Sequence, residues 1–179
     1  MRVIGGSAKK KKLVSGYDAV RPTSDTTKET LFNLLGDLRG SYFLDLYAGT
    51  GSVGIEALSR GADSCIFVER SRDLSRIIRQ NIKITGFQGK GHVVKKDVNK
   101  ELFQTLLDKC LIFDVVFADP PYEKGMLKLF FEIMDVSVIA NGGLLVVQHS
   151  MREKTAWKPS REVKIGDTVL SLFERKVKK

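Results

Sequence analysis

Two short stretches carry the residue types best suited to chemistry: Gly49-Thr50-Gly51-Ser52-Val53-Gly54 and, seventy positions after its first glycine, Asp119-Pro120-Pro121-Tyr122. The first spells G-x-G-x-x-G between the apolar run FLDLYA and the helix-forming VGIEALSR. In that context glycines let a backbone turn approach a ligand with no Cβ in the way. Glu69 lies twenty residues after Gly49, at the end of the next apolar run. A carboxylate there accepts hydrogen bonds from both hydroxyls of a ribose. These features fit a nicotinamide dinucleotide and S-adenosylmethionine equally.

Asp45 separates the two. It stands four residues before Gly49, near the carboxyl end of its strand, where side chains face the ligand crevice. A pyrophosphate would be repelled by about 3 kcal/mol per charge pair at ~5 Å and an effective dielectric of ~20. A ligand carrying an ammonium and a sulfonium would be attracted by a similar amount. The alternative for Asp45 is an inward acid hydrogen-bonded to loop amides. Asp97, after the third apolar run, suits an adenine amino group or, equally, the N-cap of a helix starting near Val98. The balance of charge favours S-adenosylmethionine.

Asp119-Pro120-Pro121-Tyr122 then suits methyl transfer to an exocyclic amine. Such a nitrogen is a poor nucleophile because its lone pair is delocalised into the base. The Asp119 carboxylate and the Pro120 carbonyl are two acceptors that can grip its two N–H bonds and turn the lone pair toward the donor. The prolines stiffen the turn and remove a competing backbone donor. Tyr122 offers a flat face for an extruded base, worth ~1–3 kcal/mol. In isolation the tetrapeptide would read as a stiff turn closing a strand; its position downstream of Asp45, the glycines and Glu69 favours the chemical role.

Alternating strands and helices must hold these groups. YFLDLY, SCIFVE, GHVVKKD, FDVVFADPPY and GGLLVVQHS read as buried strands, with helices between them. In SRDLSRIIRQNIKITG the inward residues are Leu74, Ile77, Ile78 and Ile82, with Gly86 as the stop. This βαβ alternation predicts a mostly parallel sheet with helices on both faces. REVKI and TVLSLFER around Gly166-Asp167 form a closing antiparallel hairpin instead. Ahead of the core, residues 1–20 read as two short strands around Lys9, Lys10, Lys11 and Lys12, and Ser24 caps a helix running to about Leu38.

The length of 179 residues suits one domain. No stretch approaches the ~20 apolar residues of a membrane span, and no secretory leader is evident. Cys65 and Cys110 read as two small core residues of a reduced, cytoplasmic protein, and no Cys/His cluster suggests a metal. The net charge of +9 divides unevenly: residues 1–40 carry +4, residues 151–179 carry +5, and the middle is neutral. A neutral body with basic ends fits either a polyanionic partner or a solvated basic surface.

The motifs RPTSDTTKETLFNLLG, LDLYAGTGSVGIEALSRGA, FVERS, DPPY, GGLLVVQHS and GDTVLSLFER together resemble the RsmD-like methyltransferases, in the family's order and over nearly the whole chain. The resemblance implies a class I, Rossmann-like methyltransferase fold over residues 41–179, preceded by a hairpin and helix extension over residues 1–40. It implies S-adenosylmethionine as cofactor and the exocyclic N2 of a guanine in bacterial 16S ribosomal RNA, usually guanine 966, as target. Asp45, Ala48, Gly49, Thr50, Gly51, Glu69, Arg70, Asp97 and Val98 then take cofactor positions. Asp119, Pro120, Pro121 and Tyr122 take the catalytic ones, and the RNA meets Lys9, Lys10, Lys11, Lys12, Arg21 and Thr23. A metal-free monomer acting on the small subunit or its assembly particle is expected. The lysine run departs from relatives that mix Arg and Gly there. A structural ion pair is the alternative for Arg21, and His149 reads as a satisfied strand-end histidine. The rivals are a DNA adenine-N6 methyltransferase, which lacks room here for a base-reading region, and a non-catalytic RNA-binding assembly factor.

Overall fold

The computed structural model describes residues 1–15, 23–122 and 125–176. The helices among these are α1 (Asp25–Leu35), α2 (Ser52–Ser59), α3 (Arg72–Thr85), α4 (Lys100–Asp108) and α5 (Met126–Ile133). The strands are β1 (Tyr42–Leu46), β2 (Ser64–Val68), β3 (Gly91–Val94), β4 (Phe113–Ala118), β5 (Ile139–Ser150), β6 (Arg161–Ile165) and β7 (Thr168–Glu174). They form one sheet in the order β3-β2-β1-β4-β5-β7-β6. Neighbours from β3 to β5 pair in parallel, and β7 runs antiparallel to both β5 and β6. The expected mixed sheet with a closing hairpin is therefore present, with β7 as its reversed strand.

The order makes the chain turn back between β1 and β4. After β1 it steps outward to β2 and β3, and then returns to place β4 on the other side. At such a switch point the connections leave in opposite directions and a crevice opens above the strand tips. One apolar cluster joins the N-terminal segment, α1, α2 and α3 to one face of the sheet, through Leu31, Phe32, Phe43, Ile55, Phe67 and Ile78. A second joins α4 and α5 to the other face, through Leu44, Leu102, Phe103, Val116, Phe130 and Leu145. Residues 151–160 cross from β5 to β6 without a helix. Trp157 fills the gap, stacked edge-on at 5.0 Å from Phe131 and 6.1 Å from Phe173.

Several local expectations change. The N-terminal segment is a loop closed by a single antiparallel bridge between Arg2 and Lys12 rather than two strands. Side-chain clamps replace a ladder: Ile4 N donates to Glu56 Oε2 at 2.8 Å, Ala8 N to Ser59 Oγ at 2.9 Å, and the wholly buried Lys28 Nζ to the Arg2 carbonyl at 2.9 Å. Helix α1 starts as expected, with Thr27 N donating to Ser24 Oγ at 3.0 Å. It stops at Leu35, because Gly36 takes φ 71°; Leu38 reaches the core from the following loop. Cys65 is buried, but Cys110 is exposed, in the turn after α4.

Gly54 shows why the glycine motif needs its third member. A Cβ there would sit 2.4 Å from the Phe67 ring and 2.6 Å from Cys65 Sγ. Gly54→Ala must push α2 away from β2, so it should cost about 1–3 kcal/mol and lower Tm by roughly 2–10 °C in a calorimetric melt. An unchanged Tm would show that this contact yields freely.

Candidate active site

Asp45 on β1 pairs in register with Phe117 on β4, and Leu46 with Ala118. Asp119 follows Ala118 directly, so the two aspartates are diagonal neighbours on one face of the sheet. Thr23, Asp45, Ala48, Gly49, Thr50 and Asp119 line a common cleft, together with Tyr47. The turn between β1 and α2 is unusual in its backbone. Tyr47, Gly49 and Gly51 all have positive φ, of 58°, 57° and 77°. This geometry is natural for glycine and strained for tyrosine.

The turn directs amides at carboxylates. Gly54 N donates to Asp45 Oδ2 at 2.9 Å, and Gly49 N to Glu69 Oε2 at 2.9 Å. Ser71 N donates to Glu69 Oε1 at 2.8 Å, which ties the glycine turn to the start of α3. Asp45 is thus the inward acid bonded to a helix amide and, at the same time, a wall of the cleft. Each carboxylate oxygen keeps a lone pair for a further donor.

Burial pushes the Asp45 carboxyl up from 3.8 to about 7; the Gly54 amide opposes this, and the charges of Asp119 and Glu69 reinforce it. Burial also raises Asp119 from 3.8 to about 7. Among the described residues none of Asp45, Glu69 and Asp119 has an ion-pair partner. Three carboxyls without a resident cation favour a cationic ligand and oppose a pyrophosphate. Burial raises the Tyr47 hydroxyl to about 12, Asp97 adds to the rise and Arg70 opposes it, so both charges lie near this edge of the cleft.

Asp119 does not stand alone. The register Ala118 to Val147 sets Gln148 of β5 beside it. Gln148 Nε2 donates to Asp119 Oδ2 at 3.0 Å and to Tyr122 Oη at 3.3 Å. The amide thereby links the acid to the ring. Pro120 is buried, Pro121 half-buried and Tyr122 exposed.

The remaining expected residues divide. Ala48 and Thr50 are in the cleft wall, and the Thr50 carbonyl accepts from Asn81 Nδ2 at 3.0 Å. Asp97 and Arg70 are exposed, and Val98 packs partly against the apolar cluster under α4. The N-cap alternative for Asp97 falls: Asn99 caps α4, its Oδ1 accepting from Leu102 N at 2.9 Å. Thr23 sits in the cleft beside Asp45 and Asp119 rather than on a basic edge. Arg21 lies outside the described residues. Lys9, Lys10, Lys11 and Lys12 are all exposed, but Lys11 Nζ is committed to the carbonyls of Ile84 and Thr85 at the end of α3, each at 3.2 Å. His149 has partners on both ring nitrogens, Ser150 O at 2.9 Å and Ser171 Oγ at 2.8 Å. Sequence reasoning did not single out Tyr47, Asn81 or Gln148. The signal available for Gln148 was an amide directly after the apolar run Leu144-Leu145-Val146-Val147.

The chain is similar to known proteins over nearly its whole length. A family described as conserved hypothetical protein 95 matches residues 1–174. The Bacillus subtilis protein YlbH is 35% identical over 173 residues, 94% of this chain and 88% of that one. Ribosomal RNA small subunit methyltransferase D of Escherichia coli is 31% identical over 183 residues, covering 98% and 90%. Among solved structures, the Thermus thermophilus hypothetical protein TTHA0928 superposes with a TM-score of 0.85 at 31% identity, covering 97% and 99%.

The raised carboxyls give the ligand-free protein a pH signature. Between about pH 4 and 7 the folded chain holds protons that the unfolded chain has released, so its stability falls as pH rises through that window. A ligand bearing an ammonium favours the ionised carboxylates and reverses the trend. Binding of S-adenosylhomocysteine, followed by titration calorimetry, should tighten from pH 6 to pH 7 by up to about tenfold per proton released. Asp45→Asn should flatten that slope; an identical slope would remove Asp45 from the ligand's surroundings.

Proposed function

Because the chain belongs to the RsmD-like family, whose model spans residues 1–174, we propose that it is an rRNA methyltransferase working on guanine N2 of the small-subunit 16S RNA, with guanine 966 as the position the family resemblance suggests. S-adenosylmethionine is the cofactor, and when bound it supplies a methyl carbon already activated by its sulfonium. The observation that carries the reading is the meeting of Asp45, the glycine turn and Asp119 in one cleft at the switch point of the sheet.

The residues of this chain divide the work. Asp45 faces the cationic end of the cofactor, and Glu69, held by two backbone amides, accepts from the ribose hydroxyls. Gly49 and Gly51, flanked by Ala48 and Thr50, let the main chain approach closely. Asp97 meets the adenine amino group, with Arg70 and Val98 beside it. Asp119 and the Pro120 carbonyl hold the two hydrogens of the guanine amine and direct its lone pair. As the new bond forms, positive charge gathers on that nitrogen and the adjacent carboxylate stabilises it. The exposed Tyr122 ring gives the extruded base a face to stack on. Positioning and electrostatics carry the reaction.

Recognition of the RNA falls to the N-terminal loop, where Lys9, Lys10, Lys11 and Lys12 are exposed, to Thr23 in the cleft wall and to Arg21, two residues before it in sequence. The protein acts as a cytoplasmic monomer on the small subunit or its assembly particle.

Mass mapping of 16S RNA from cells with and without this protein should show one N2-methylguanosine lost with it, and an unchanged pattern would overturn the assignment. Asp119→Ala should lower transfer by about two to three orders of magnitude while S-adenosylhomocysteine still binds; full turnover would remove the acceptor role. Replacing Lys9, Lys10 and Lys12 by Ala should weaken RNA binding and reduce its salt slope by about 2 to 3. An unaltered slope would move the RNA elsewhere.

A further inference from the structure

Gln148 holds an acceptor that the reading above does not use. The side chain is 5% exposed, and its Oε1 has no hydrogen-bond partner among the described residues. Its Nε2 is committed to Asp119 Oδ2 at 3.0 Å and Tyr122 Oη at 3.3 Å. These contacts fix which way round the amide lies. Turning it over would set its oxygen against the Asp119 carboxylate, acceptor facing acceptor. The Oε1 atom is therefore the amide's unused acceptor, attached to the same carbon as the nitrogen that grips Asp119. Buried polar atoms are rarely left without a partner, so one that is calls for an explanation.

We propose that Gln148 determines base specificity: its Oε1 accepts the ring N1–H of the target guanine while Asp119 and Pro120 hold the adjacent amine. The inference rests on the guanine-N2 reading and deepens it. Adenine, cytosine and guanine all carry an exocyclic amine, so a pair of acceptors for that amine cannot tell them apart. The neighbouring ring nitrogen can. In guanine, N1 carries a hydrogen beside the 2-amine. In adenine N1, and in cytosine N3, the atom beside the amine is a bare lone pair. Three acceptors in a row match the three hydrogens of guanine and set an oxygen against the lone pair of the other two bases. A site built for a donor rejects a base that lacks it more strongly than shape alone would. The parallel register of β4 and β5 holds Gln148 beside Asp119.

The test uses the full-length protein and small-subunit RNA carrying either guanine or 2-aminopurine at the target position. 2-Aminopurine keeps the 2-amine but has a lone pair at N1. The wild type should favour guanine in kcat/KM by about tenfold or more. Gln148→Met, similar in length but without the acceptor, should lower transfer to guanine and bring the two substrates within about threefold of each other. Unchanged affinity for S-adenosylhomocysteine would show that the variant is folded. Equal wild-type rates on the two bases would overturn the inference, as would a folded Met variant that keeps the wild-type ratio. In both cases N2-methylguanosine is still formed by the wild type, so the guanine reading stands. A wild type that methylates adenine and leaves guanine untouched overturns both.

Discussion

Negative charge withdrawn from water at the tips of β1 and β4 is the constraint around which the molecule is built. Asp45 is almost wholly buried and Asp119 sits at the tip of the next strand, and each carboxyl is pushed to about 7. Folding tolerates this because backbone amides reach the acids: Gly54 N meets Asp45, and Gly49 N and Ser71 N meet Glu69. Those amides arrive only if the chain turns sharply after β1. That turn requires positive φ at Gly49 and Gly51, and close seating of α2 on β2 at Gly54. The glycine motif, the acids and the switch in strand order are thus one arrangement. A cationic ligand is what relieves it.

The N-terminal segment is bound into the same arrangement. Asn81 on α3 accepts from Val14 N at 2.7 Å and donates to the Val14 carbonyl and to the Thr50 carbonyl, each at 3.0 Å. One amide therefore joins the segment carrying the exposed lysines to the turn that lines the cleft. Glu56 and Ser59 on α2, and Lys11 across the end of α3, add further links over more than fifty residues of sequence. With these clamps the segment that we propose meets RNA cannot shift without moving α2, α3 and the glycine turn. The lysine-bearing segment and the glycine turn are held in fixed relation, as positioning of two bound partners requires.

Much of this was legible in the chain. Local rules set the alternation of strands and helices, the Ser24 and Gly86 helix ends, the closing hairpin and the glycine turn, because propensity, capping and hydrophobic period all act between near neighbours. Two readings failed, and one run of charge took on a distant partner. Lysines 9–12 look like a uniform basic run, yet Lys11 is spent on the carbonyls of Ile84 and Thr85. The first segment has the pattern of a hairpin, yet side chains from α1, α2 and α3 hold it with one bridge of its own. Cys110 stands beside the apolar run Leu111-Ile112-Phe113, yet the turn after α4 leaves it in solvent.

The sequence by itself determined which groups are present and which end of each strand they occupy: Asp45, Gly49, Gly51, Glu69 and Asp119 follow from position within their own elements. Only the tertiary structure decided which of them meet. Parallel strands are joined by long crossovers, so the register of β4 against β1 and β5 comes from packing on both faces of the sheet and leaves no local trace. That register made Asp45 and Asp119 diagonal neighbours and put Gln148 beside Asp119, and the packing about it brought Thr23 into the cleft. A glutamine at the end of an apolar run has no evident role until the strand next to it is known.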